Sequence, residues 1–137
     1  MNYVSTNFDT DSDGYLSDEE IAAVTRIDVY GRGTSADGGI TSLVGLERFT
    51  ELTYLNCVYN AGLTEIDVSQ NTALTTLYCD GTSITSLDIS HNSDLTDLSC
   101  WAALDLSSLD VSQNTVLTDL QCANTGITSL DVSKILL

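Results

Sequence analysis

The chain has 137 residues, of which 42% are hydrophobic, and both values are ordinary for a single globular domain. Four basic residues against twenty acidic residues give a formal net charge of −16. Such a chain repels nucleic acids and anionic membranes, so metal cations and basic surfaces are the better partner candidates. No apolar run reaches the roughly 20 residues of a transmembrane segment, and we expect any secretory signal to lie outside this sequence.

Residues 9–20 alternate acidic side chains with small polar ones around a glycine. The segment Asp-Thr-Asp-Ser-Asp-Gly-Tyr-Leu-Ser-Asp-Glu-Glu fits the pattern D-x-[DN]-x-[DN]-G-x5-E and so resembles an EF-hand calcium loop. The resemblance implies calcium as a cofactor and a ligand set of Asp9, Asp11, Asp13, the Tyr15 carbonyl, Ser17 and Glu20. Carboxylates this close together repel one another without a cation. The alternative is a solvated acidic turn.

The EF-hand resemblance implies a small helical cap over residues 1–25. Asp18 and Glu19 favour the start of a helix over about residues 18–25. Residues 1–8 are expected to form the last turns of an entering helix. EF-hands usually act in pairs, whereas this sequence contains one such loop. We therefore expect calcium to act as a structural staple for an EF-hand-like amino-terminal cap, and not as a sensor.

Two short segments connect this cap to the rest of the chain. Arg26-Ile27-Asp28-Val29 alternates polar and apolar residues and predicts a first strand with Ile27 and Val29 inward. Residues 31–39 contain four glycines and predict a mobile loop. This loop lacks the lysine and the strand-to-helix context of a phosphate-binding loop.

The remainder of the chain is an internal repeat with a period of 21 or 22 residues. Each copy begins with L-T-x-L-x-C and continues with a second half of the type L-x-x-L-D-V-S. The copies start at Leu52, Leu74, Leu95 and Leu117. Leucines at this spacing resemble a leucine-rich repeat. The cysteine and the L-D-V-S-x-N half resemble repeats of bacterial surface proteins of the internalin type, over about residues 40–137.

The resemblance implies a leucine-rich-repeat solenoid over residues 26–137, a β-rich right-handed superhelix with short turns that forms one structural unit. One repeat cannot bury its own apolar edge, so repeats stack around a continuous core. Both halves of each repeat alternate as strands do. Asn71, Asn92 and Asn114 are expected to bond the turn backbones from inside. The equivalent first-half column is Asn60, Thr82, Ala103 and Thr125, with local irregularity expected at Ala103.

The four cysteines share one position of the repeat. They are Cys57, Cys79, Cys100 and Cys122. We interpret them as small hydrophobic side chains in a buried column. Disulfides between neighbouring turns are the second interpretation, although parallel inward side chains give a poor S–S torsion. Zinc is the third, although four sulfurs in a line cannot form a tetrahedron.

Two surface columns follow from the repeat. Outward positions beside the L-x-C strands predict a concave ligand surface, with Tyr54, Asn56, Tyr78, Asp97 and Trp101 as candidate contacts. The alternative is that these are ordinary scattered aromatics. The second halves present Asp67, Asp88, Asp110 and Asp131, whose repulsion we expect hydrogen bonds from nearby hydroxyls and amides to offset. A row of weak cation sites is the alternative there.

These features predict a binding protein and no enzyme. The one histidine, His91, occupies a variable turn position, so no nucleophile is held beside a base. The leading hypothesis is a protein-binding scaffold of a secreted or cell-surface bacterial protein with a calcium-stabilised amino end. The alternative is a structural or adhesive repeat that self-associates through an uncapped carboxy-terminal turn, where Ile135 replaces asparagine. A third interpretation is a fragment without independent function.

Overall fold

The computed structural model describes residues 7–31 and 39–135. Most of the glycine-rich loop and of the predicted entering helix lie outside the described residues. The described part contains a short helix, a 3-10 helix at Leu46–Arg48 and five strands of three residues each. In chain order they are α1 (Asp18–Ala22), β1 (Arg26–Asp28), β2 (Tyr54–Asn56), β3 (Thr76–Tyr78), β4 (Asp97–Ser99) and β5 (Asp119–Gln121).

The five strands form one parallel sheet in chain order, β1-β2-β3-β4-β5. The central residue of each strand pairs with the central residue of the next: Ile27, Leu55, Leu77, Leu98 and Leu120. Because side chains alternate along a strand, the residues flanking these positions point to the opposite, outer face of the sheet. The structure confirms a β-solenoid with one turn per repeat and a first strand at Arg26.

Stacking of the repeats produces one continuous apolar core. Leucine and isoleucine at three positions per turn have at most 2% exposure, for example at Leu74, Leu77 and Ile84. Burial lessens in the last described turn, where Leu120, Ile127 and Leu130 are only partly buried. A single repeat offers no second layer of its own, so each turn depends on its neighbours for this burial.

The second half of each repeat is not a strand, and this part of the prediction was wrong. Ile66 and Val68 are buried and Asp67 is exposed, as the alternation requires, but residues 63–68 form no sheet ladder. Turn carbonyls are instead held by the asparagine amides. Asn92 Nδ2 donates to the carbonyls of Val68 and Asn71 at 3.1 and 2.8 Å. Alternating burial requires an extended backbone, whereas a strand also requires backbone hydrogen bonds between turns.

A threonine column that the sequence analysis missed runs beside the strands. It comprises Thr53, Thr75, Thr96 and Thr118. Each hydroxyl lies within hydrogen-bond distance of the carbonyl one turn earlier, and that of Thr75 donates to the Thr53 carbonyl at 3.0 Å. The same Thr53 carbonyl accepts the backbone N–H groups of Thr75 and Thr76. The recurring threonine of L-T-x-L-x-C was the available signal.

The residues of the first-half column bond the carbonyl of the cysteine three residues earlier, and Ala103 does so with its backbone instead of a side chain. The Thr82 and Thr125 hydroxyls donate to the carbonyls of the cysteines three residues earlier, at 2.7 and 2.9 Å. At Ala103 the backbone N–H makes the equivalent bond to the Cys100 carbonyl at 3.1 Å. The expected irregularity amounts to this one replacement of a side-chain donor by a backbone donor.

The short segment that follows the first-half column has two lengths, which alternate from one repeat to the next. The next buried residue follows after 63 − 60 = 3 positions at Leu63, and after 84 − 82 = 2 positions at Ile84. The following turns repeat this order, with Leu106 three positions after Ala103 and Ile127 two positions after Thr125. The longer segment contains a backbone hydrogen bond of its own, from the Leu63 N–H to the Asn60 carbonyl at 2.9 Å.

Helix α1 is shorter than the predicted helix of residues 18–25. Its amino end is closed by a capping box in which Ser17 and Glu20 bond each other's backbone N–H. It ends at Ala22, and the backbone N–H of the next residue, Ala23, bonds the carbonyls of Glu19 and Ile21. The chain must then turn at once to enter β1, which leaves no room for another helical turn.

Candidate functional site

Three aspartates of the acidic loop lie together. Asp9, Asp11 and Asp13 each offer one carboxylate oxygen, and these oxygens are all within 4.8 Å of one another. The loop is shaped by its own hydrogen bonds, including Gly14 N–H to Asp9 Oδ2 at 3.0 Å and Tyr15 N–H to Asp13 Oδ1 at 2.8 Å. Gly14 has a φ of 90°, so a glycine is needed at this turn.

The Glu20 carboxylate contacts protein donors instead of this cluster. One oxygen accepts from the backbone N–H and hydroxyl of Thr10 at 2.6 and 2.7 Å. The other accepts from the N–H and hydroxyl of Ser17 at 2.9 and 3.0 Å. These bonds, that of the Thr10 hydroxyl foremost, lower the pKa of Glu20 to about 2. Ser17 and Glu20 thus bind each other, and the Tyr15 side chain is exposed.

The aspartate cluster fits a hard divalent cation. Asp9 Oδ1 is buried and has no hydrogen-bond partner within the described ranges of the chain. A buried carboxylate oxygen without a donor is costly, and a cation is one means of satisfying it. Converging carboxylate oxygens are the ligands that calcium prefers. The three aspartates could therefore hold such an ion.

The amino-terminal half of the strand face is an ordered, charge-balanced patch. The Arg26 guanidinium lies 3.5 Å from the centroid of the Tyr54 ring and 3.0 Å from Asp28 Oδ2. The Tyr54 and Tyr78 rings meet edge to face, with centroids 5.8 Å apart. Asn56 Nδ2 donates to Asp28 Oδ1 at 3.1 Å. Three of the five candidate contacts, on β2 and β3, therefore belong to one network.

The other two candidates lie on and beyond β4. Asp97 is half-buried, and Trp101 is 40% exposed. The Trp101 N–H donates to Asp80 Oδ1 at 2.7 Å, and the Ser99 hydroxyl bonds the same oxygen. Asp80 is not among the predicted contacts, although it occupies an outward position of the same repeat pattern. It fixes the backbone that presents the indole.

The cysteines are free and form the predicted column. Cys57, Cys79 and Cys100 are buried, and Cys122 is partly buried. The thiols of Cys57 and Cys79 donate to the carbonyls of Tyr78 and Ser99 at 3.4 and 3.3 Å. Burial raises the pKa of Cys57 and of Cys100 to about 12, and that of Cys79 well above its usual range. These thiols therefore pack as neutral apolar groups.

The exposed aspartate column is stabilised as predicted. Each carboxylate accepts from the backbone N–H of the serine two residues later: Asp67 at 3.0 Å, Asp88 at 2.9 Å, Asp110 at 2.8 Å and Asp131 at 2.9 Å. The serine hydrogen bonds lower the pKa of each carboxyl group. His91 is an exposed turn residue, and its Nδ1 lies 3.2 Å from Ser90 Oγ.

The parallel sheet, the asparagine and threonine columns and the column of cysteines define a leucine-rich-repeat solenoid. No protein-family model matches the chain. Internalin J of Listeria monocytogenes serotype 4b (strain F2365) is 38% identical to it over 69 residues, which are 50% of this chain and 7% of that protein. The chain therefore spans a small part of that relative. In the described part of the chain, no helix has the length and apolar character needed to cross a membrane.

Two solved structures share the fold. The functional domain of InlJ from Listeria monocytogenes, which includes a cysteine ladder, has a TM-score of 0.78 and 41% identity, over 87% of this chain and 25% of that one. An internalin (InlF) from Listeria monocytogenes str. 4b F2365 has a TM-score of 0.56 and 25% identity, over 87% of this chain and 40% of that one. These similarities support an internalin-like leucine-rich-repeat protein.

Proposed function

We propose that this chain is a non-catalytic protein-binding scaffold of a secreted or cell-surface bacterial protein. The observation that carries the proposal is the strand face, on which the Tyr54 and Tyr78 rings meet edge to face and the Trp101 backbone is held by Asp80. Aromatic side chains on a rigid support lose little conformational freedom on binding, and they dominate hot spots. The similarity to internalins, which are surface or secreted bacterial proteins, supports the same placement.

A binding array with two matched triple variants tests this proposal. The chain is presented to an array of purified extracellular proteins, and any binder is then titrated. Tyr54→Ala/Tyr78→Ala/Trp101→Ala should abolish binding of that protein. Val44→Ala/Leu104→Ala/Val116→Ala removes three exposed apolar side chains from turns instead and should leave binding intact. Equal loss in both variants, at unchanged melting temperatures, would contradict a role for the strand face.

We propose further that calcium occupies the loop of residues 9–20 and stabilises the amino-terminal end. Support comes from the three converging carboxylates and from the donor-free Asp9 Oδ1. The neighbouring Phe8 ring contacts Phe49 of the solenoid core, with centroids 6.1 Å apart. An ion in the loop would therefore brace a segment that packs directly on the first repeats.

Calorimetric calcium titration with thermal melts tests the cation site. We expect one site and a melting temperature raised by calcium, since a ligand at a hundredfold excess over Kd contributes about 2.7 kcal/mol. Asp11→Asn should remove both effects. Asp67→Asn is the control, because both carboxylates accept a backbone N–H two residues later and only Asp11 lies in the cluster. Absence of heat and of a melting shift would refute calcium and leave the scaffold proposal standing.

A second candidate function is a structural repeat that self-associates through its last described turn. Leu120, Leu130 and Ile135 are partly buried there, and Val132 is 47% exposed. A second copy could cover these side chains. Sedimentation velocity across a range of concentrations should then show dimers that Val132→Glu dissociates. A monomer at every concentration would exclude this candidate.

A further inference from the structure

Charge is distributed unevenly along the strand face. On β1 the Arg26 guanidinium and the Asp28 carboxylate form an ion pair at 3.0 Å. From β3 to β5 the face carries Asp80, Asp97 and Asp119. Within the described ranges, ion pairs form only at Arg26–Asp28 and Arg48–Asp18, so this half of the face keeps an uncompensated negative charge.

Asp97 and Asp119 are direct neighbours in the sheet. They pair in register between β4 and β5, at the roughly 4.8 Å spacing of adjacent strands. Each accepts a neutral donor from its own strand region, the Thr96 hydroxyl at 2.6 Å and the Gln121 amide at 3.3 Å. Like charges placed opposite one another destabilise a sheet. A partner that brings positive charge between them would relieve this repulsion.

Two aromatic side chains lie on the same face as these carboxylates, Tyr78 on β3 and Trp101 beyond β4. Trp101 lies two residues beyond β4, and its carbonyl accepts the Gly81 N–H at 2.9 Å, which places it beside the preceding turn. The face already contains one example of the contact that such a surface favours, since Arg26 lies over Tyr54 while bonding Asp28. Arginine side chains from outside would find aromatic rings and carboxylates on one face of β3–β5, where no arginine of the described residues forms an ion pair.

We propose that the outer face of β3–β5 recognises an arginine-bearing basic segment of a protein partner, with cationic groups held between Asp97 and Asp119 and against Trp101. This inference rests on the proposed scaffold function and names the chemistry of its partner. Exposed charges of this kind act mainly on the rate of association and on specificity. Binding should therefore weaken with salt, because the Debye length falls to about 8 Å at physiological ionic strength.

Trp101 provides the readout, because it is the only tryptophan in the chain. A hexapeptide of alternating arginine and serine is titrated into the protein while tryptophan fluorescence is followed. A glutamate–serine hexapeptide serves as the ligand control. We expect the arginine peptide to change the fluorescence saturably and the glutamate peptide to leave it unchanged.

Two double variants separate a local site from the overall charge. Asp97→Asn/Asp119→Asn should weaken binding about fivefold, the sum expected of two exposed ion pairs. Asp67→Asn/Asp88→Asn changes the net charge equally but lies on the second halves of the repeats, and it should alter affinity less than twofold. Equal weakening in the two variants would show attraction by net charge alone and overturn the proposal. So would a fluorescence signal that does not respond to the arginine peptide.

Failure of this inference is distinguishable from failure of the scaffold proposal. An array partner that needs Tyr54, Tyr78 and Trp101 but binds Asp97→Asn/Asp119→Asn as tightly as the unaltered chain would overturn only the basic-segment inference. Removal of two repelling charges should not lower the melting temperature, so weaker binding in this variant cannot be attributed to unfolding.

Discussion

The buried asparagines show how single side chains join the turns. In Asn71, Asn92 and Asn114 the Nδ2 group donates to two carbonyls each, at 2.8–3.1 Å. Their Oδ1 atoms are buried without a partner in the described part of the chain. The column therefore combines two satisfied donor bonds with one unsatisfied acceptor, and the donor bonds hold carbonyls that water cannot reach.

Loss of one such amide should be far more damaging than loss of its exposed neighbour. Asn114→Ala removes bonds to the Ile89 and Asn92 carbonyls and should lower the free energy of unfolding by about 2–3 kcal/mol. Gln113→Ala removes an exposed amide and should change it by less than about 0.5 kcal/mol. Urea denaturation of both variants tests this difference. Similar losses would show that the column does not stabilise the fold.

The buried thiols make stability depend on alkaline pH. Because the pKa of Cys57 and of Cys100 rises to about 12 in the fold from 9.0, unfolded thiols lose protons first as the pH passes 9. The unfolded state is then favoured, and stability falls between about pH 9 and 12. The slope should be about 1.4 kcal/mol per pH unit for each such cysteine. Urea denaturation at several alkaline pH values measures it.

A free tyrosine side chain has an ordinary pKa of about 10, so the test requires a variant that changes a cysteine alone. Cys57→Ala keeps all tyrosines and should make the alkaline slope shallower by about 1.4 kcal/mol per pH unit. A slope that is the same in the variant and the unaltered chain would mean that Cys57 does not ionise on unfolding in this range.

The threonine column stabilises the backbone just before each strand. Thr75→Val keeps the shape of the side chain but removes the hydroxyl bond to the Thr53 carbonyl at 3.0 Å, and should cost about 1 kcal/mol. Thr85→Val makes the same change at an exposed position and should be close to neutral. Thermal melts of the pair distinguish the two sites. Equal effects of the two substitutions would show that the threonine column does not stabilise the fold.

The apolar and cysteine positions were predictable because their period is repeated four times, and burial follows that period directly. The L-D-V segments were assigned as strands because alternation reports which side chains are buried and says nothing about which groups take the backbone hydrogen bonds. The predicted role of Asn92 was correct, since its amide donates to the carbonyls of Val68 and Asn71. That role could have indicated that asparagine amides, and not a second sheet, bond the carbonyls of these turns.

The acidic loop was predictable to a similar extent. The spacing of the aspartates brought Asp9, Asp11 and Asp13 together, and Gly14 took the left-handed turn. The motif assigns Glu20 to an ion but does not describe competing donors. Here Thr10, a variable position of the motif, and Ser17 both bond its carboxylate. Such competition depends on the folded path of the loop and is not visible in a pattern of residue types.

Stability should vary along the solenoid, because each turn is stabilised by its neighbours. Leu98 and Leu120 occupy the same position of successive turns, yet Leu98 is 1% exposed and Leu120 is only partly buried. Leu98→Ala should cost about 2–5 kcal/mol, and Leu120→Ala about 1–2 kcal/mol. Urea denaturation compares them. Equal costs would indicate that the last described turn is packed as tightly as the middle.

The alternation of long and short turns makes a pair of turns, and not a single turn, the smallest unit that repeats in this protein. The interval from Asn60 to Ala103 is 103 − 60 = 43 residues and contains one turn of each length. Duplication of such a 43-residue pair in the gene would lengthen the molecule by two turns while each new turn met a neighbour of the expected kind. Duplication of a single turn would instead place two long or two short turns side by side.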